Sequence, residues 1–112
     1  MNPQLVLRRY RQNQILSATP LQLVLMVYDV AIVGCVRRDL SKTTQALNTL
    51  IKALDMRQGD IPTRLYWLYQ YCADQARHGD FDQAAKILRE LAGVWVQCLV
   101  EQGPSLRQAH TA

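Results

Sequence analysis

Between Leu21 and Val36 the chain carries only two strongly polar side chains, Gln22 and Asp29. Such a run is too short to span a bilayer and is interrupted by a carboxylate. In water it must form a helix that is covered on nearly every side. Its apolar residues fall on two sides: Leu23, Met26, Val30 and Val33 point one way, and Leu21, Leu25, Tyr28, Ile32 and Cys35 point roughly the other. The stretch 81–101 poses the same problem. Leu88, Leu91, Trp95, Cys98 and Leu99 make one stripe, and Ile87, Val94, Val96 and Val100 widen it past an ordinary core face. A single-layer bundle of 112 residues cannot cover both sides of two of its own helices. Part of that surface is therefore expected to meet an N-terminal arm, a second copy or a client chain. Contiguous apolar patches of that extent mark binding surfaces.

The punctuation defines four helices. Thr19-Pro20-Leu21-Gln22 reads as a capping box with proline at the first helical position. Ser41 is the expected cap of a second helix, which runs to Gln58 with Gly59 at its C-terminal end. Asp60-Ile61-Pro62 opens a third, and His78-Gly79-Asp80 ends it. Asp80 with Gln83 forms another capping box, and Gly103-Pro104 is expected to stop the fourth helix. The expected segments are 20–38, 42–58, 61–78 and 81–101, joined by links of two to four residues. No stretch alternates with a period of two between turn signals, so no sheet is expected. Short links make neighbours antiparallel. The predicted fold is all-α, an antiparallel four-helix bundle over 17–101, with an N-terminal arm or short helix at 1–16 and a flexible tail at 102–112. Stripes at Leu47, Leu50, Ile51 and Leu54 and at Leu65, Leu68, Tyr69, Cys72 and Ala76 supply the inner faces of the second and third helices. The aromatic group Tyr66, Trp67, Tyr69 and Tyr71 reads as core and rim of the third.

Little in the chain points to catalysis. The two histidines, His78 and His110, sit at a helix end and in the tail. Cys35, Cys72 and Cys98 are far apart, lack a Cys-x-x-Cys spacing, and read as buried, reduced thiols. The isolated glycines provide no phosphate cradle. We expect no enzyme activity, cofactor or metal, and any action must run on binding energy. A formal net charge of +4 gives mild attraction to acidic partners and does not by itself diagnose nucleic-acid binding. Asp29 reads as a rim carboxylate. Gly34 and Gly93, inside helices, point to close helix crossings. The N-terminus Met1 to Arg9 lacks the pattern of a signal peptide, and the location expected is cytoplasmic.

The run Tyr10, then Ile15-Leu16-Ser17-Ala18-Thr19-Pro20 through Leu25-Met26-Val27-Tyr28-Asp29-Val30-Ala31-Ile32, resembles the opening of the flagellin-export chaperone family, FliS. Leu54-Asp55 with Gly59 and Ile61, Leu65 with Leu68-Tyr69 and Tyr71, and Arg89-Glu90-Leu91 with Trp95 extend the resemblance over about residues 9–99. Val30 stands where the family has glycine, Leu21 stands where it usually has an acid, and the net charge is positive where many relatives are acidic. The resemblance implies a cytoplasmic helical bundle that holds the disordered C-terminal segment of flagellin, or of another flagellar axial protein, in apolar grooves. That action prevents premature polymerisation and presents the client to the type III export gate. It also implies a role for the arm tyrosine, here Tyr10, with Ile15 the apolar position that follows.

The candidate client-binding residues are Tyr10, Ile15, Leu23, Met26, Val30, Val33, Leu91 and Trp95. The expected mode is helix-in-groove capture of a segment that folds on binding. No membrane insertion and no nucleic acid are expected. Two other readings stand beside this one: a small basic helical nucleic-acid-binding protein, and a self-associating bundle whose twin covers the apolar face.

Overall fold

The computed structural model describes the backbone of residues 19–111 and the side chains of residues 19–101. Four helices make up the described fold: α1 Pro20–Val36, α2 Leu40–Lys52, α3 Asp60–Arg77 and α4 Phe81–Thr111. Helix α1 packs on α2 and α4, and α3 packs on the same two, so the helices close into a ring with α1 and α3 on opposite corners. This is the all-α four-helix bundle that the periodicity predicts. The expected arm at 1–16 lies outside the described residues.

Helix α1 starts as expected. The Thr19 hydroxyl accepts from the Gln22 N–H at 3.2 Å, and the Gln22 side-chain oxygen accepts from the Thr19 N–H at 2.9 Å. At the other end Arg38 turns left-handed (φ 56°). The Asp39 N–H then reaches back to the Gly34 carbonyl at 2.8 Å, and the Arg38 N–H to that of Cys35 at 3.1 Å. These are the two bonds of a Schellman motif. Asp39 also caps α2 by accepting from the Lys42 N–H. The α3–α4 corner repeats the device. Gly79 is left-handed (φ 89°), the Asp80 N–H bonds the Gln75 carbonyl, and the Asp80 carboxylate accepts from the Gln83 N–H.

Helix α1 ends two residues early and α3 is shifted by one, while α2 and α4 depart further from expectation. Helix α2 starts at Leu40 with Asp39 as its cap, whereas the pattern points to Ser41. The reason is that Asp39 serves both helices, closing α1 with its N–H and opening α2 with its carboxylate. Helix α2 also ends at Lys52, six residues before Gln58. Here Asp55 decides: its carboxylate accepts from the Arg57 N–H, and its carbonyl accepts from the Gln58 N–H, a local turn that competes with the helix. The α2–α3 link is therefore the longer stretch 53–59. Gly59 (φ 89°, ψ −151°) sits at the start of α3 instead of ending α2, in a region that only glycine enters readily. Finally, α4 does not stop at Gly103-Pro104, and its backbone stays helical to Thr111. A proline removes one N–H from the ladder, and the turns on either side can still form.

Each helix sends one large side chain fully into the core: Tyr28, Leu47, Tyr69 and Leu88. The predicted inner stripes of α2 and α3 lie on this core, except that Leu68 is exposed. Helices α1 and α2 cross closely at Gly34, where an added Cβ would lie 2.6 Å from the Thr43 hydroxyl and 3.0 Å from its backbone nitrogen. Among the described residues no such neighbour stands near Gly93.

Candidate functional site

The two apolar sides of α1 have different fates. Tyr28 and Cys35 are buried and Ile32 packs against the core, so the side that begins at Leu21 faces inward. On the other side Leu23, Val30 and Val33 are 38%, 43% and 38% exposed, and Met26 is half-buried between them. The steps from 23 to 26, 30 and 33 are three, four and three residues. That spacing keeps four apolar side chains in one line along the helix, the seam against which a second helix packs.

The described surface carries two depressions, of which the first borders this seam. One is a groove of about 300 Å³ between α1 and α2, walled by Met26, Val27 and Val30 on one side and Ala46 and Thr49 on the other. Lys42 and Gln45 stand at its edge. The second is a pocket of about 310 Å³ at the end of the bundle where α1 begins. Leu21, Val24, Leu50, Leu54 and Leu65 line it, and the stretch 53–59 supplies Asp55 and Gln58. Asp55 forms an ion pair with Arg57 at 3.0 Å, which together with hydrogen bonds holds its carboxyl below the usual carboxylate range.

Tyr69 and Trp95 also line the end pocket. Tyr69 is buried against Tyr28, their hydroxyls 2.6 Å apart and their rings edge to face. The Trp95 indole N–H donates to the Tyr28 hydroxyl at 3.0 Å. Burial pushes the pKa of both tyrosines upward, so both are neutral hydrogen-bonding groups at ordinary pH. Burial also raises the Cys35 thiol and pushes the Cys72 thiol up to about 12, which removes nucleophilic character from both. Among the described residues no group of three His, Cys, Asp or Glu side chains is placed to hold a metal ion. Asp29 is exposed, and no described helix is long and apolar enough to cross a membrane.

The predicted site residues divide between these features. Leu23, Met26, Val30 and Val33 form the outer seam of α1. Trp95 is partly buried at the end pocket, away from that seam, and Leu91 packs against the core. Tyr10 and Ile15 lie outside the described residues. Sequence reasoning misses Tyr28 and Tyr69 as a hydrogen-bonded pair, since 41 positions separate them and nothing in their spacing brings them together. The α3 aromatics divide into core and rim as expected, with Tyr69 buried and Trp67 and Tyr71 65% and 44% exposed. Comparison with protein-family models, curated proteins and solved structures returns no match.

Proposed function

We propose that the protein is a cytoplasmic export chaperone that captures the C-terminal segment of flagellin, or of another flagellar axial protein, and delivers it to the export gate. The observation that carries this reading is the exposed seam Leu23–Met26–Val30–Val33, with an apolar groove beside it. A client segment that becomes helical on binding would bury its own apolar face there, and the energy comes from that burial. The resemblance of residues 10–32 to the flagellin-export chaperones supplies the identity of the client. No covalent chemistry is required of the protein.

The test is co-expression with the C-terminal segment of flagellin followed by size exclusion. A complex that survives supports the reading, and loss of the complex with Val30→Asp assigns it to α1. Absence of a complex with flagellin and with every other axial protein tried overturns it. Light scattering without client addresses self-association: a dimer that client does not dissociate favours a twin on the seam instead.

A further inference from the structure

The groove beside the outer seam of α1 is apolar except at one edge. Met26, Val27, Val30 and Ala46 wall it, Gln45 and Thr49 are neutral, and the charged side chain along it is Lys42, which is half-buried. Asp29 lies on α1 but does not line the groove. The seam itself continues in register to Arg37, four residues beyond Val33 and exposed. The α1–α2 corner therefore brings two cations to one end of the groove. Among the described residues neither takes part in an ion pair.

The fold accounts for one of these cations and not for the other. Arg37 follows the last turn of α1, where the carbonyl end of a helix favours positive charge. Lys42 is the third residue of α2, at the N–H end, which disfavours a cation. Its own backbone N–H is held by the Asp39 carboxylate. At the corresponding position α1 and α4 carry the neutral Gln22 and Gln83, and a glutamate there would suit the turn better than lysine. An ammonium placed against its helix dipole, beside an apolar groove and without a countercharge, fits a partner that brings the countercharge with it. We propose that the occupant of the α1–α2 groove is an amphipathic helix with a carboxylate at one edge of its apolar stripe, set against Lys42. This rests on the reading of the seam as the client site and names the chemistry that the client must carry.

The probes are two synthetic helical peptides with leucine at the a and d positions of each heptad. One carries glutamate along one edge of the stripe, the other glutamine at the same positions. Each is labelled with a fluorophore and titrated with the full chain by anisotropy. The glutamate peptide should bind about 3- to 10-fold more tightly, and the gap should narrow at about 0.5 M salt. Lys42→Glu should abolish or invert the preference. Arg64→Glu, which makes the same change of charge at an exposed position on α3, should keep most of it. Lys42→Glu should also melt no lower than the unmodified protein, since a carboxylate suits the first turn of a helix. Equal binding of the two peptides overturns the proposal, as does an equal loss of preference with Arg64→Glu, which would reduce the effect to net charge. A lowered melting temperature in Lys42→Glu would assign the lysine to the fold and overturn it as well. So would failure of both peptides to bind, or a dimer of the free protein that the glutamate peptide does not dissociate. Neither peptide contains flagellin sequence, so this charge rule can fail while flagellin still binds.

Discussion

Gly34 and Gly93 look alike in sequence, each inside an apolar helix at a cost of about 1 kcal/mol relative to alanine. Space separates them. Gly34 admits Thr43 at a distance that leaves no room for a Cβ, whereas Gly93 is exposed with nothing described near it. Gly34→Ala should therefore destabilise the fold by about 1–3 kcal/mol, the range for overpacking. Gly93→Ala should stabilise it by about 0.5–1 kcal/mol. Thermal melts of the two variants should move in opposite directions, and a shared direction would contradict the packing described at Gly34. Single buried thiols and phenols also set the alkaline limit. Folding raises the pKa of Cys35, Cys72, Tyr28 and Tyr69, so their protonated forms are favoured in the native state. The associated stability is complete below the ionisation of the unfolded chain and is lost as pH rises toward the folded value. For the thiols that loss starts at about pH 8.5, the ordinary cysteine value, and for Cys72 it continues to about 12. The melting temperature should be flat between about pH 7 and 8 and fall beyond about 8.5. Cys72→Ala should fall less steeply over about pH 8.5–10 than the unmodified protein, and equal slopes would remove Cys72 from the account.

Among the helices and their junctions, two corners use one design with different residues in the left-handed position. Gly79 occupies it without strain, while Arg38 carries a side chain there. Arg38 also makes an exposed ion pair with Asp82 at 3.5 Å and lies over the Phe81 ring. An exposed pair contributes little. Arg38→Gly should accordingly change stability by no more than about 1 kcal/mol in the favourable direction, and Gly79→Arg should cost about 1 kcal/mol. Denaturant midpoints would check both, and a clear loss with Arg38→Gly would show that its contacts outweigh its strain. The helix starts at Thr19 and Asp80 are legible in the sequence because a capping residue acts on N–H groups only two or three positions ahead. The end of α2 is harder to read. The apolar pattern reaches Leu54, but the turn built by Asp55 ends the helix first.

For the bundle taken together, the ring of helices decides which apolar side of α1 is spent on the core. Val30 is on the side left over, and Leu88 is fully enclosed. Val30→Asp should leave stability within about 0.5 kcal/mol, as for an ordinary surface change, and weaken binding of the flagellin segment at least about tenfold. Leu88→Ala should cost about 2–5 kcal/mol through the cavity it leaves. Calorimetry on the free protein and titration with the segment would separate the two effects. Unchanged affinity in Val30→Asp would move the client away from this seam.

Residue order was enough for the helical class, the capped starts of α1 and α4, most of the inner stripes of α2 and α3, and the excess of apolar surface on α1. These follow from contacts within a few residues or from angles about a single helix axis. Packing between helices settled the rest: which side of α1 stays outside, that Tyr28, Tyr69 and Trp95 meet, and that the 53–59 stretch completes a pocket. Periodicity states which side chains share a face. Which face finds a neighbour depends on how the other helices pack, and that is set by shapes far apart in the chain.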